Sequence, residues 1–99
     1  MKYSLIDIGS NTVRLVIYDT ENNNKEILNK AEFLGLISYV NDGKINEDGE
    51  KRLVETLNAM KKIAENSGSD KMYAFATASL RDIKDKDSLI EKLFMKTGI

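Results

Sequence analysis

The sequence predicts one α/β domain whose elements follow the order β-β-β-α-β-α around a mixed sheet. Two observations support this prediction. The N-terminal third is rich in β-forming apolar residues interrupted by polar turns, and a long amphipathic stripe follows it, before a fourth strand and a second helix. The length of 99 residues suits a single domain, with no repeat or linker. Because such a domain normally continues into another strand, we expect the chain to be a piece of a longer protein, truncated before the last strand.

The first three strands are predicted from apolar periodicity and turn signals. Residues 2–8 carry apolar groups on both faces, which predicts a central strand covered on both sides. Gly, Ser and Asn at 9–11 mark a turn, and the alternating residues 12–19 form the second strand. The pattern of residues 25–34 alone suits either a strand or a helix. Their position directly after the polar hairpin turn at 21–24 favours a third strand.

The second half predicts a loop, a helix, a short strand and another helix. Residues 35–46 are expected to be a loop, and Asn46 is a good helix cap. Gly68 is a suitable residue to end that helix, and residues 71–78 form the next strand. The first helix buries Leu53, Leu57, Met60 and Ala64, and the second, over 86–97, presents Leu89, Ile90, Leu93 and Phe94.

The composition excludes several classes of chemistry. Fifteen basic residues against sixteen acidic ones give a net charge of −1, so no basic surface for nucleic acid is expected. The chain has no Cys and no His, which rules out disulfides, Cys/His zinc sites and Ser-His-Asp nucleophiles. No signal peptide and no apolar run long enough for a membrane span is recognisable, so we expect a cytoplasmic protein without a membrane partner.

The most informative stretch runs from Asp7 to Thr12. An acidic residue ends an apolar strand, and Gly9, Ser10 and Asn11 lead directly into the next strand. Backbone N–H groups in such a turn can converge on a phosphate, and Asp7 could hold Mg²⁺ through oxygen. The alternative is an ordinary hairpin in which Asp7 accepts the turn amides.

A second cluster of small polar residues follows the strand at 71–78. Thr77 and Ser79 can donate to phosphate oxygens, and Arg81 offers a planar five-donor fork. The alternative is a capped surface turn in which Arg81 pairs with one of the aspartates that follow it. Since both clusters come at the carboxyl ends of predicted strands, where open α/β sheets bind ligands, each supports the other.

The stretches IDIGSNTVRLVIYD and AFATASLRD resemble the two characteristic motifs of the exopolyphosphatase / guanosine pentaphosphate phosphohydrolase (Ppx/GppA) family. The resemblance implies an actin-like ATPase, ribonuclease-H-like fold, with two such domains around a cleft, residues 1–99 being part of the first. It also implies Mg²⁺-dependent hydrolysis of terminal phosphate from polyphosphate or guanosine pentaphosphate. By the same resemblance Asp7 is a metal residue, and the phosphate contacts are Gly9, Ser10, Asn11, Thr12, Thr77, Ser79 and Arg81.

The family's catalytic Glu is expected beyond Ile99, so the resemblance places no catalytic residue in this chain and predicts that the chain alone is inactive. Two other functions stay open from the sequence: an actin-like kinase or ATPase, and a non-catalytic nucleotide-binding regulatory module. We also expect self-association as a dimer, through the edge formed by 71–77 or the helix 86–97.

Overall fold

A computed structural model describes residues 1–76 and 86–99. Among these residues the main sheet has four strands in the order β3 (Lys25–Phe33), β2 (Thr12–Asp19), β1 (Lys2–Ile8) and β6 (Lys71–Ala76). Strands β1, β2 and β3 are antiparallel neighbours, while β6 runs parallel to β1, which makes the sheet mixed as predicted. The bounds are β1 Lys2–Ile8, β2 Thr12–Asp19, β3 Lys25–Phe33, β4 Val40–Asn41, β5 Lys44–Ile45, α1 Glu47–Asn66, β6 Lys71–Ala76 and α2 Lys86–Thr97.

The hydrophobic core lies on one face of this sheet. The prediction that β1 is covered on both sides is wrong for the described residues, because Ile6 is fully buried whereas Leu5 on the opposite face is only half-buried. Both helices pack on the Ile6 face, and α1 contacts α2 there. The core consists of Ile6, Ile8, Val13, Leu15, Ile17, Leu34, Leu36, Leu53, Leu57, Met60, Ala64 and Leu93.

Both ends of α1 have defined caps. The Asn46 side chain accepts from the Gly49 N–H at 2.8 Å, as expected for an N-cap. At the other end Gly68 has φ +82°, and the Ser69 N–H donates to the Ala64 carbonyl at 3.0 Å. This bonding pattern is a Schellman motif, which needs a residue that tolerates positive φ at position 68.

The predicted loop over 35–46 contains regular structure. A 3₁₀ helix spans Leu36–Tyr39, and a two-stranded hairpin, β4 and β5, follows it. Asp42 and Gly43 connect its strands with φ values of 54° and 80°, the left-handed pair that a tight hairpin turn requires. The loop prediction is wrong here because these elements are only two to four residues long, below what periodicity can detect.

Polar contacts fix α2 against α1. The Lys96 ammonium lies 3.0 Å from a Glu50 carboxylate oxygen, and Lys61 donates to the Thr97 carbonyl at 2.8 Å.

The apolar residues predicted for α2 differ in their exposure. Leu93 is buried, while Ile90 and Phe94 are exposed. Neither helix of the described residues is long and apolar enough to cross a membrane.

Candidate phosphate-binding site

The turn between β1 and β2 is closed by its own backbone. The Gly9 N–H donates to the Thr12 carbonyl at 3.0 Å, and residues 9–12 are each partly exposed. Within residues 1–76 and 86–99, the N–H groups of Ser10 and Asn11 have no hydrogen-bond acceptor. These two N–H groups, with the side chains of Ser10, Asn11 and Thr12, form a set of donors that an anion can use.

The turn is fastened to the end of β3 by a contact that the sequence did not reveal. The Asn11 carbonyl accepts from the Leu34 N–H at 2.7 Å and from the Gly35 N–H at 3.0 Å. Gly35 has φ +64°, a left-handed conformation that glycine adopts without strain. Because the Asn11 carbonyl is engaged on this side, the position of the turn depends on the chain that follows β3.

The sheet places the beginning of the second cluster beside the turn. Strands β1 and β6 are parallel, with Asp7 opposite Phe75 and Ile8 opposite Ala76. The carboxyl ends of both strands therefore meet at one edge, as the sequence predicts. The second cluster follows Ala76 directly in the chain, but Thr77, Ser79 and Arg81 lie outside the described residues.

Asp7 is the carboxylate nearest to the turn along β1, and its partner across the hairpin is Arg14. The register places both residues on the face of the sheet away from the helices. The Arg14 guanidinium donates to the Asn29 amide oxygen, and the Asn29 amide donates to Glu26 at 2.6 Å. We did not predict this polar row, although the symmetry of the hairpin about residues 9–12 could have indicated the pairing of Asp7 with Arg14.

The oxygen atoms of the side chains near the turn supply only some of the ligands that Mg²⁺ needs. Asp7, Ser10, Asn11 and Thr12 offer oxygen ligands, which Mg²⁺ prefers. No group of three acidic side chains that could enclose a metal ion occurs among the residues that the structure describes. A magnesium ion at Asp7 therefore fits the common arrangement of one protein carboxylate supplemented by substrate phosphates and water, and does not fit a closed protein cage.

Two named relatives match all or nearly all of this chain. Exopolyphosphatase 1 of Mycobacterium tuberculosis is 30% identical over 107 residues, which cover 100% of this chain and 30% of that protein. The bifunctional 3-dehydroquinate synthase/phosphatase of Fusobacterium nucleatum is 34% identical over 103 residues, covering 95% of this chain and 16% of that protein. No family model matches the chain.

Solved structures that resemble this chain come from the same kinds of protein as its exopolyphosphatase relatives. The Ppx/GppA phosphatase of Aquifex aeolicus superposes with a TM-score of 0.89 at 28% identity, over 100% of this chain and 34% of that one. An exopolyphosphatase of Cytophaga hutchinsonii gives a TM-score of 0.88 at 26% identity, over 100% of this chain and 32% of that one. The resemblance to the Ppx/GppA family is confirmed. The actin-like ATPase fold class is confirmed with it.

The chain spans about a third of the length of these Ppx/GppA relatives. The matches cover all of the described elements, including the turn at 9–12 and the strand end at Ala76. They therefore agree with the sheet in which β1 and β6 are parallel and end at one edge.

Proposed function

We propose that this chain is part of the first of two domains of an exopolyphosphatase-type phosphohydrolase. Its substrate is inorganic polyphosphate or guanosine pentaphosphate, from which water removes the terminal phosphate. The observation that supports this most strongly is the parallel pairing of β1 with β6, which ends both strands at one edge. Each of the two phosphate-type motifs begins at that edge, and Exopolyphosphatase 1 is similar over the whole chain.

In this proposal the chain's residues position the substrate phosphates and stabilise their negative charge. The N–H groups of Ser10 and Asn11 and the hydroxyl of Thr12 would hold phosphate oxygens, and the Arg81 guanidinium would bind two oxygens at once. Mg²⁺ held by Asp7 and the phosphates would neutralise charge on the substrate. Phosphoryl transfer needs little more than such donors and an oriented water, so the residues of this chain suit substrate binding.

Arg81 provides the sharpest test of this proposal. Arg81→Ala should weaken tripolyphosphate binding by about 10- to 100-fold, because hydrogen bonds to charged groups contribute about 1.5–3 kcal/mol. Isothermal titration at low salt, with and without Mg²⁺, measures the affinity.

Lys62→Ala is the matched control, since it removes one positive charge from the exposed face of α1. The Lys2 ammonium donates to the Ser67 carbonyl at 3.2 Å, so the last turns of α1 lie at the amino end of β1, far from the turn at 9–12. We expect less than a twofold change for Lys62→Ala. Equal losses in both variants would mean that the anion binds by overall charge alone, which would contradict the proposed site.

A further inference from the structure

The backbone on both sides of Gly35 is held in place by the core and by hydrogen bonds. Its neighbours Leu34 and Leu36 are 4% and 2% exposed and belong to the hydrophobic core. The Gly35 carbonyl accepts from the Ser38 N–H at 3.0 Å and from the Ser38 hydroxyl at 2.7 Å. The chain that leaves β3 and enters the 3₁₀ helix is therefore fixed at the residues next to Gly35.

The first two N–H groups of this segment restrain the turn at 9–12. The Asn11 carbonyl accepts from both the Leu34 N–H and the Gly35 N–H. Because a trans peptide group is planar, a fixed Asn11 carbonyl also fixes the Thr12 N–H, which points in the opposite direction. The segment thus sets the orientation of the peptide that follows Asn11, directly beside the N–H groups that face a bound anion in the proposed function.

We propose that Gly35 is a positioning residue for phosphate binding at the 9–12 turn, an inference that rests on the function proposed above. Its φ angle of +64° sets the angle between the peptide that carries the Gly35 N–H and the chain that follows. A residue that disfavours positive φ must rotate one of these two. Because the following chain is held by Leu36 and Ser38, the N–H turns away from the Asn11 carbonyl.

The benefit for binding is that the donors are ordered before the anion arrives. A loop that already has its bound conformation loses less conformational entropy on binding and so binds more tightly. Without the bond from Gly35, the peptide after Asn11 is free to rotate, and the N–H groups of Ser10 and Asn11 must be ordered by the anion itself. The affinity for phosphate therefore depends on a residue that does not contact the phosphate.

Backbone conformation, and not space, makes glycine necessary at position 35. A Cβ atom there would lie 3.5 Å from the Phe33 Cε1 and 3.9 Å from the Ser38 Oγ, which are ordinary contact distances. Gly35→Ala therefore tests the preference for positive φ alone. Asn enters the left-handed region more readily than most residues with a side chain, so Gly35→Asn is the variant expected to restore the contact.

Gly68 provides the matched control. It also has a positive φ, +82°, and a Cβ atom there would lie 3.6 Å from the Lys2 Nζ, again an ordinary contact. Gly68 follows the end of α1, near the amino end of β1, where the Lys2 ammonium donates to the Ser67 carbonyl. Gly68→Ala therefore introduces the same kind of backbone strain as Gly35→Ala, at the end of β1 away from the turn.

Titration of the ¹⁵N-labelled variants with tripolyphosphate measures the effect on binding. Gly35→Ala should bind about tenfold more weakly, the effect of losing about one hydrogen bond to a charged group. Gly35→Asn should stay within about threefold of the unmodified chain, because Asn tolerates positive φ. Gly68→Ala should change the affinity by less than about twofold, since a comparable strain there leaves the turn intact.

Hydrogen exchange without the anion separates positioning from general loss of stability. In Gly35→Ala the Leu34 amide should exchange faster, whereas the amide of Leu15 in β2 stays protected, because only the contact with the turn opens. Ser38→Ala keeps the glycine and removes only the hydroxyl bond to its carbonyl. It should change both measurements in the same direction by a smaller amount, and it tests the proposal even if Gly35→Ala does not fold.

The outcomes distinguish this inference from the proposed function. If the unmodified chain binds tripolyphosphate at Ser10 and Asn11 but Gly35→Ala or Ser38→Ala binds equally well, the inference is overturned and the proposed function stands. Equal losses in Gly35→Ala and Gly68→Ala, or no recovery in Gly35→Asn, would also overturn the inference alone. An unmodified chain whose turn does not respond to tripolyphosphate would contradict the proposed function and this inference together.

Discussion

The purified 99-residue chain is expected to release phosphate from polyphosphate at least about 100-fold more slowly than full-length Exopolyphosphatase 1 of M. tuberculosis, with which it shares 30% identity. A positioned general base accelerates hydrolysis by about 10²–10⁴-fold, and the Ppx/GppA resemblance assigns no such base to this chain. Phosphate-binding groups of a partner domain would stabilise the transition state further.

Phosphate release measured by a coupled colorimetric assay checks this expectation, with the relative and the chain at equal concentration. A catalytic rate within a few-fold of the relative would contradict the account. It would mean that a group inside residues 1–99 activates the water, and Asp7→Asn would then identify whether that group is the carboxylate at the end of β1.

Gly49→Ala is expected to destabilise the chain by about 1–3 kcal/mol, the usual cost of overpacking. A Cβ atom built at Gly49 would lie 2.5 Å from the Tyr39 Cβ and 2.8 Å from the Ile45 Cγ2. The backbone of α1 and the hairpin of β4 and β5 would have to separate to accommodate it. Urea denaturation measures the change in the free energy of unfolding.

The predicted loss of stability on Gly49→Ala is opposite in direction to the usual effect of replacing a helical glycine by alanine. Elsewhere in a helix, replacing Gly by Ala stabilises by about 1 kcal/mol, because glycine loses more backbone entropy on folding. Asn58→Ala, on the exposed face of the same helix, is the control and should be neutral or slightly stabilising. A stabilising Gly49→Ala would show that the hairpin does not pack against the first turn of α1.

The main elements could be predicted because their patterns are long. Strands β1 and β2, the helix beginning after Asn46 and the glycine that ends it were predicted from periodicity and capping, and β3 was predicted from its place after a hairpin turn. The hairpin around Asp42 was not, since its strands have two residues each. The one-sided burial of β1 was also missed, because apolar residues on both faces do not reveal which face the described helices cover.

The location of the candidate site could be predicted from the sequence, but one backbone contact that holds it could not. The location of Asp7 and the 9–12 turn at a strand end follows from the sequence, and the parallel pairing with β6 confirms that the second motif begins beside it. The contact of the Asn11 carbonyl with Leu34 and Gly35 could not be predicted, since it joins residues more than twenty positions apart through backbone atoms alone. Side-chain identity carries no signal for such a bond.

The most direct test of the central claim is a titration of the ¹⁵N-labelled chain with tripolyphosphate, followed by amide chemical shifts. If the strand ends form an anion site, the amides of Ser10, Asn11 and residues 77–81 shift first and saturate together. The amides around Lys62, at the far end of α1, then stay in place. Shifts that are spread over the basic residues of the surface, with Ser10 and Asn11 unmoved, would contradict the account.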